Sequence, residues 1–312
     1  MSSRPWVIAV AVLASSLAAC SKPRAVDASA AAPPPYVLSG TEVRTLHAKT
    51  LGRDYQLFVS LPVAYARRPG HRFPVLFVTD ADYAFPLLRS IVRRVGAQGA
   101  GLEDMVIVGL SYAAGDTPEY SRRRDYTPTA DGDKAAVSDM PGRPVTYGEG
   151  PAYQRFIAEQ VFPLVAGAYR VDMHDKTYLG HSYGGLLGVQ MLLSDPAMFE
   201  HYIIGSPSLW FGHRVMFDHE RAYAATHTDL PADVFMAVGG YETINPGDSR
   251  YNKTVDMVGD LRRLQQALAA RRYPGLKLQM QVIQDEDHLS VFPAIATRGM
   301  KAILKPRTGT GS

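Results

Sequence analysis

The pentapeptide Gly180-His181-Ser182-Tyr183-Gly184, with an apolar run behind it and a helix-like run ahead of it, constrains this chain more than any other feature. Lys176-Thr177-Tyr178-Leu179 reads as the end of a short strand, and residues 185–193 read as a buried helix that stops before Asp195-Pro196. A strand that turns sharply into a helix holds the intervening residue in strained φ/ψ space. The flanking glycines leave room for the turn where a side chain would crowd it or the adjoining strand. G-x-S-x-G alone recurs by chance in glycine-rich chains, so the strand-turn-helix context carries the reading: a nucleophile elbow with Ser182 at its tip.

The surrounding pattern places that elbow in an α/β architecture. Apolar alternation over Thr41–Ala48 and residues 53–61 predicts an antiparallel pair turning at Leu51-Gly52. Strands follow at residues 74–78 and 105–110, with a helix between them at 84–95. A helix over 152–169, bent at Pro163, leads into the elbow. Short strands at 202–204 and 234–238, an amphipathic helix carrying Val258, Leu261, Leu264 and Leu268, a strand over 276–283 and a helix over 292–304 complete the order. Repeated strand-helix units after an antiparallel start predict an α/β fold with a mostly parallel central sheet and helices on both faces. Residues 112–150 break the rhythm: polar, rich in Gly and Pro, and centred on Arg122-Arg123-Arg124-Asp125-Tyr126-Thr127-Pro128. A loop of that length is either functional or a solvated segment.

A serine hydroxyl needs a base within hydrogen-bond reach, and of nine histidines His288 is best placed. It follows the last strand, at the carboxyl edge of the sheet, in the chain order nucleophile, acid, histidine. The orienting acid is expected in the loop after the preceding strand, where Glu242 follows Val238-Gly239-Gly240; Asp248, Asp256 or no acid at all are the alternatives. The backbone N–H groups of Tyr183 and Asp82 are the expected oxyanion donors. His181 is expected to pack or bond locally, and Asp285 and Asp287 to be solvated. These features imply a serine hydrolase that needs no cofactor. No H-E-x-x-H or clustered Cys/His pattern points to a metal, and no glycine-rich phosphate loop with a lysine is present.

The N-terminus adds a location. Arg4, an apolar run over residues 6–17 and then Leu17-Ala18-Ala19-Cys20 resemble a bacterial lipoprotein signal peptide, with the only cysteine of the chain as the acyl acceptor. The run is short for a transmembrane helix. An ordinary cleaved signal or an uncleaved anchor, with Cys20 incidental, are the alternatives. The implied organisation is a signal peptide at 1–20, a flexible Ala/Pro/Ser-rich linker at 21–38 and a catalytic domain at 39–306. The implied place is the bacterial cell envelope, lipid-anchored, with Ser21 favouring the outer membrane facing the periplasm. The net charge of +3 in 312 residues carries no basic stripe interleaved with stacking aromatics, so nucleic acid is not an implied partner.

Gly180-His181-Ser182-Tyr183-Gly184-Gly185, Arg124-Asp125-Tyr126-Thr127-Pro128, Ser206-Pro207-Ser208-Leu209-Trp210 and Asp287-His288 together resemble the putative-esterase family of α/β-hydrolases, over roughly residues 43–304. Its branch nearest these motifs contains esterases of enterobactin-type trilactone siderophores. The resemblance implies nucleophile Ser182, base His288 and a small-molecule ester substrate, with a ferric catecholate siderophore as the specific form. Arg124 and Trp210 are the expected substrate contacts. Family members commonly carry Leu-Asp-Gly after the third strand, where this chain has Thr79-Asp80-Ala81, and some work with a Ser-His dyad, which would make Glu242 dispensable. The other readings are a general short-chain carboxylesterase, an acyltransferase, and a non-catalytic binding lipoprotein on a hydrolase scaffold.

Overall fold

The central strands are apolar on both faces because helices cover both. The computed structural model describes residues 34–97 and 101–304, and from Leu38 onward they belong to one compact unit. The predicted signal peptide, Cys20 and most of the predicted linker lie outside the described residues. In chain order the elements are β1 (Thr41–Ala48), β2 (Arg53–Ser60), β3 (Phe73–Val78), α1 (Ala81–Ala97), β4 (Val106–Ala113), α2 (Pro118–Asp125), α3 (Gly150–Phe156), α4 (Phe162–Ala168), β5 (Val171–His181) and α5 (Tyr183–Ser194). β6 (His201–Gly205), α6 (Phe211–Arg214), α7 (Met216–Thr226), β7 (Ala232–Gly239), α8 (Met257–Arg271), β8 (Leu276–Ile283) and α9 (Phe292–Ile303) follow.

The eight strands form one sheet in the order β1-β2-β4-β3-β5-β6-β7-β8. β1 and β2 pair antiparallel, β2 meets β4 antiparallel, and every pairing from β4 to β8 is parallel. β3 reads Phe-Pro-Val-Leu-Phe-Val with all six residues buried. Leu76 and Val78 face one apolar layer with α1 and α9; Val75 and Phe77 face the other with α5 and α8. This is the α/β-hydrolase arrangement the sequence implies. Parallel pairing stacks the carboxyl ends of β3, β5, β6, β7 and β8 along one edge, the place where loops of an open α/β sheet build a site.

Two regions differ from expectation. The helix foreseen over 152–169 is interrupted by a π-turn at Ile157–Val161, just before Pro163, which relieves the proline's missing N–H. The long segment 112–150 is not structureless. Its α2 is capped by Thr117, whose hydroxyl accepts from the Tyr120 N–H at 3.2 Å, with Pro118 at the first helical position.

Candidate active site

Ser182 lies between the last residue of β5 and the first of α5 with φ 60° and ψ −118°, a region that costs a non-glycine residue roughly 1–3 kcal/mol and persists only where surroundings enforce it. The motif glycines show how. A Cβ on Gly180 would stand 2.3 Å from the Gly184 carbonyl oxygen, one on Gly184 would stand 2.3 Å from Thr79 Oγ1, and one on Gly185 would stand 2.6 Å from the Gly205 oxygen. The Ser182 N–H donates to Gly205 O at 3.0 Å, which ties the turn to β6. α5 is buried on nearly every side, so the elbow rests on a fixed element.

The acid and the histidine arrive from the two outer parallel strands. Glu242 ends a short 3₁₀ turn after β7 and is fully buried. Its Oε1 accepts from Ser206 Oγ at 2.6 Å and from the Gly239 N–H at 2.8 Å, and its Oε2 meets His288 Nδ1 at 2.6 Å. His288 sits on the loop after β8. Asp287 shapes that loop: its Oδ1 accepts from the Leu289 and Ser290 N–H groups, which hold its carboxyl below the usual range. Asp287 is therefore a turn cap rather than merely a solvated acid. Of the alternative acids, Asp248 pairs with Arg250 at 2.6 Å and Asp256 caps α8 through the Gly259 N–H at 2.9 Å. Glu242 is the one of the three that meets His288.

Ser182 and His288 line a common cleft with two lobes. One of about 360 Å³ includes Ser208, Trp210 and Lys253; the other, of about 600 Å³, includes Tyr83, Tyr112 and His181. Glu119 and Arg122 of α2 border both. Trp210 thus lines the cleft. The amides of Tyr183 and Asp82 each lie in the first turn of a helix, where no intrahelical carbonyl is available, at the carboxyl ends of the neighbouring strands β5 and β3. The Asp82 carboxylate accepts from Ser111 Oγ at 2.9 Å.

Arg124 is a correction. Its side chain is 3% exposed, pairs with Asp116 at 2.7 Å and Asp125 at 2.8 Å, and is absent from the cleft lining. Arg53 and Tyr55 of β2 reach the same Asp125, so this ionic cluster clamps α2 to the sheet. The arginine that α2 presents to the cleft is Arg122. Its Nε lies 2.7 Å from Asp80 Oδ1, which Tyr112 OH also reaches at 2.9 Å. Burial raises the Asp80 carboxyl against the opposing pull of Arg122 and Tyr112.

His181 is buried, its ring centroid 4.7 Å from that of His288, and its Nε2 has no partner among the described residues. Burial, with His288 and Arg122 next in effect, holds it well below the usual imidazole range, so it is neutral beside His288. Ser206 and Ser208 were not foreseen as site residues. They meet Glu242 and Ser182 through contacts between separate loops; in the sequence they stood out only as part of the Ser206-Pro207-Ser208-Leu209-Trp210 resemblance motif, with no role attached. Among the described residues no group of three or more His, Cys, Asp or Glu could hold a metal ion, and no helix is long and apolar enough to cross a membrane.

The fold and the strand-end loops define an α/β-hydrolase with a Ser, His and Glu constellation at its cleft. Residues 48–248 match the model of the family described as putative esterase, and the chain belongs to that family of ester hydrolases. It is 30% identical over 281 residues to the ferri-bacillibactin esterase of Bacillus subtilis, covering 87% of this chain and 92% of that one. It is 25% identical over 272 residues to a siderophore triacetylfusarinine C esterase of Aspergillus fumigatus, covering 80% and 88% respectively. A siderophore hydrolase of Aspergillus nidulans superposes with a TM-score of 0.71 at 22% identity, over 89% of this chain and 100% of the other.

Proposed function

We propose that this protein is a serine carboxylic-ester hydrolase that works through an acyl-enzyme on Ser182 and opens the ester bonds of a siderophore, specifically a ferric trilactone catecholate. The observation that carries the mechanism is the 2.6 Å contact between buried Glu242 and His288 Nδ1, beside a serine held on an elbow in the same cleft. Glu242 fixes the tautomer with hydrogen on Nδ1, which leaves Nε2 as the base. Ser182 Oγ attacks the ester carbonyl as Nε2 takes its proton, and the oxyanion falls to the Tyr183 and Asp82 amides. The imidazolium returns the proton to the departing alkoxide. Water then repeats the sequence on the acyl-enzyme and releases the acid.

The similarity to proteins named as esterases of ferri-bacillibactin and triacetylfusarinine C supports the substrate class. Arg122 and Lys253, both at the cleft, replace Arg124 as the cations that meet an anionic iron complex. The protein works as an envelope lipoprotein anchored through Cys20. Incubation with a ferric trilactone siderophore, followed by product mass, tests the reading. Linear products that gain one water per opened ester, absent with Ser182→Ala, support it. Release of nothing from the trilactone by a protein that cleaves short acyl esters removes the siderophore claim.

A further inference from the structure

The loop after β6 touches both ends of the constellation within three residues. Ser206 Oγ bonds Glu242, while Ser208 Oγ lies 3.5 Å from Ser182 Oγ and the Ser208 N–H donates to the Ser182 carbonyl at 3.2 Å. Ser208 is buried, 2% exposed, and the packing leaves little play: a Cβ on Gly185 would stand 3.0 Å from Pro207 Cα.

Position in the sheet says which reacting atom this hydroxyl meets. β5 carries Ser182; β3, on one side of it, leads to the Asp82 amide, and β6, on the other side, leads to Ser208. Glu242 and His288 follow β7 and β8, beyond β6. Ser208 therefore approaches the nucleophile from the β6 side, toward the strands that carry Glu242 and His288 and opposite the Asp82 amide. Ser208, Ser182 and His288 converge on the 360 Å³ lobe, and Ser208 is absent from the lining of the 600 Å³ lobe.

We infer that Ser208 is a further catalytic residue: its hydroxyl holds the water that cleaves the acyl-enzyme, between its own Oγ and His288 Nε2, in the smaller lobe. The inference rests on the acyl-enzyme reading above. The water gives one proton to Nε2 as its oxygen bonds the acyl carbon; the tetrahedral adduct then expels Ser182 Oγ, which recovers that proton from the imidazolium. A hydroxyl can serve this water as acceptor or donor while Nε2 accepts its other hydrogen, so the water is oriented without being consumed by the wrong base. Because water enters where the alcohol departs, the smaller lobe is also the leaving-group side, and the acyl group occupies the larger lobe with Tyr83 and Tyr112.

Ser208→Ala in the full-length protein, assayed with p-nitrophenyl esters, separates the two half-reactions. Acylation should persist: a fluorophosphonate probe should label Ser182 within about threefold of the wild-type rate. Deacylation should slow by on the order of tenfold or more, so that a burst of one p-nitrophenolate per enzyme precedes a slow steady state and acyl-Ser182 accumulates in the intact mass. A merely structural role would lower labelling and turnover together, and that result overturns the inference. So does wild-type deacylation in the variant. If the wild-type protein itself forms no adduct on Ser182, the serine-esterase reading falls with it; normal wild-type acylation with unchanged deacylation in Ser208→Ala removes Ser208 alone.

Discussion

Replacing Glu242 by glutamine separates the orienting role of the acid from its part in holding the fold, because the structure dictates which way the new amide must point. Glu242 Oε1 accepts two hydrogen bonds, from Ser206 Oγ and the Gly239 N–H. In Glu242→Gln the carbonyl oxygen has to stay there, since an NH₂ group facing the Gly239 N–H would set donor against donor. The NH₂ group then falls where Oε2 was, 2.6 Å from His288 Nδ1. It stabilises the tautomer with hydrogen on Nε2, which cannot accept the Ser182 proton. The analogous loss of tautomer control costs about 10⁴-fold in a serine protease, so kcat/KM should fall by roughly 10³ to 10⁴ here. Glu242→Ala removes the wrong donor and admits water, and should be no more damaging to turnover than glutamine. Stability should run the other way: alanine removes the buried acceptor of two donors and leaves water to replace it, a loss of about 1–3 kcal/mol in all, while glutamine keeps both bonds. The assay pairs kcat/KM on a short-chain ester with urea unfolding of both variants. Glutamine within tenfold of wild type would refute the tautomer reasoning and favour a working Ser-His dyad.

Arg124→Ala should destabilise the fold by up to about 3–5 kcal/mol in denaturant unfolding, because it removes the buried cation shared by Asp116 and Asp125 and leaves them only Arg143 and Arg53; losses in kcat/KM should be equal for neutral and anionic esters. Gly180→Ala should lower stability by about 1–3 kcal/mol, since the new methyl meets the rigid Gly184 carbonyl, and a melting temperature equal to wild type would contradict that crowding. His181 binds its proton less readily folded than unfolded, so its share of stability is full above the ordinary imidazole pKa and is lost as pH falls. The wild-type melting temperature should therefore drop below about pH 6.5, and His181→Asn should flatten that slope. On the proposed anchoring through Cys20, Cys20→Ala should carry no acyl mass and partition to the aqueous rather than the detergent phase, an outcome read by phase partition and intact mass against wild type.

The parallel core was legible because its strands are short and apolar throughout, and the elbow because its glycines answer contacts of 2.3–2.6 Å that admit no side chain. Chain order pointed to Glu242 and left Asp248, Asp256 or no acid open; its contact with His288 appears only once the sheet order β6-β7-β8 sets the two loops side by side. α2 and Arg124 were not. That helix buries an arginine and an aspartate rather than an apolar stripe, so hydrophobic periodicity carries no trace of it, and the partner Asp116 lies outside the helix. α6 and α7 escaped for a related reason: Met216–Thr226 mixes four charged or histidine residues and short residues around a few buried ones. Ser206 and Ser208 depend on contacts between loops 26 to 36 residues apart, which local pattern cannot express.

The central claim is a covalent intermediate on one serine. Mass analysis of the protein quenched during turnover of an activated ester, followed by peptide mapping, should find a single acyl group on the peptide that contains Ser182, and none in Ser182→Ala despite an unchanged fold. An adduct on any other residue, or ester turnover by Ser182→Ala within a few-fold of wild type, would contradict the account.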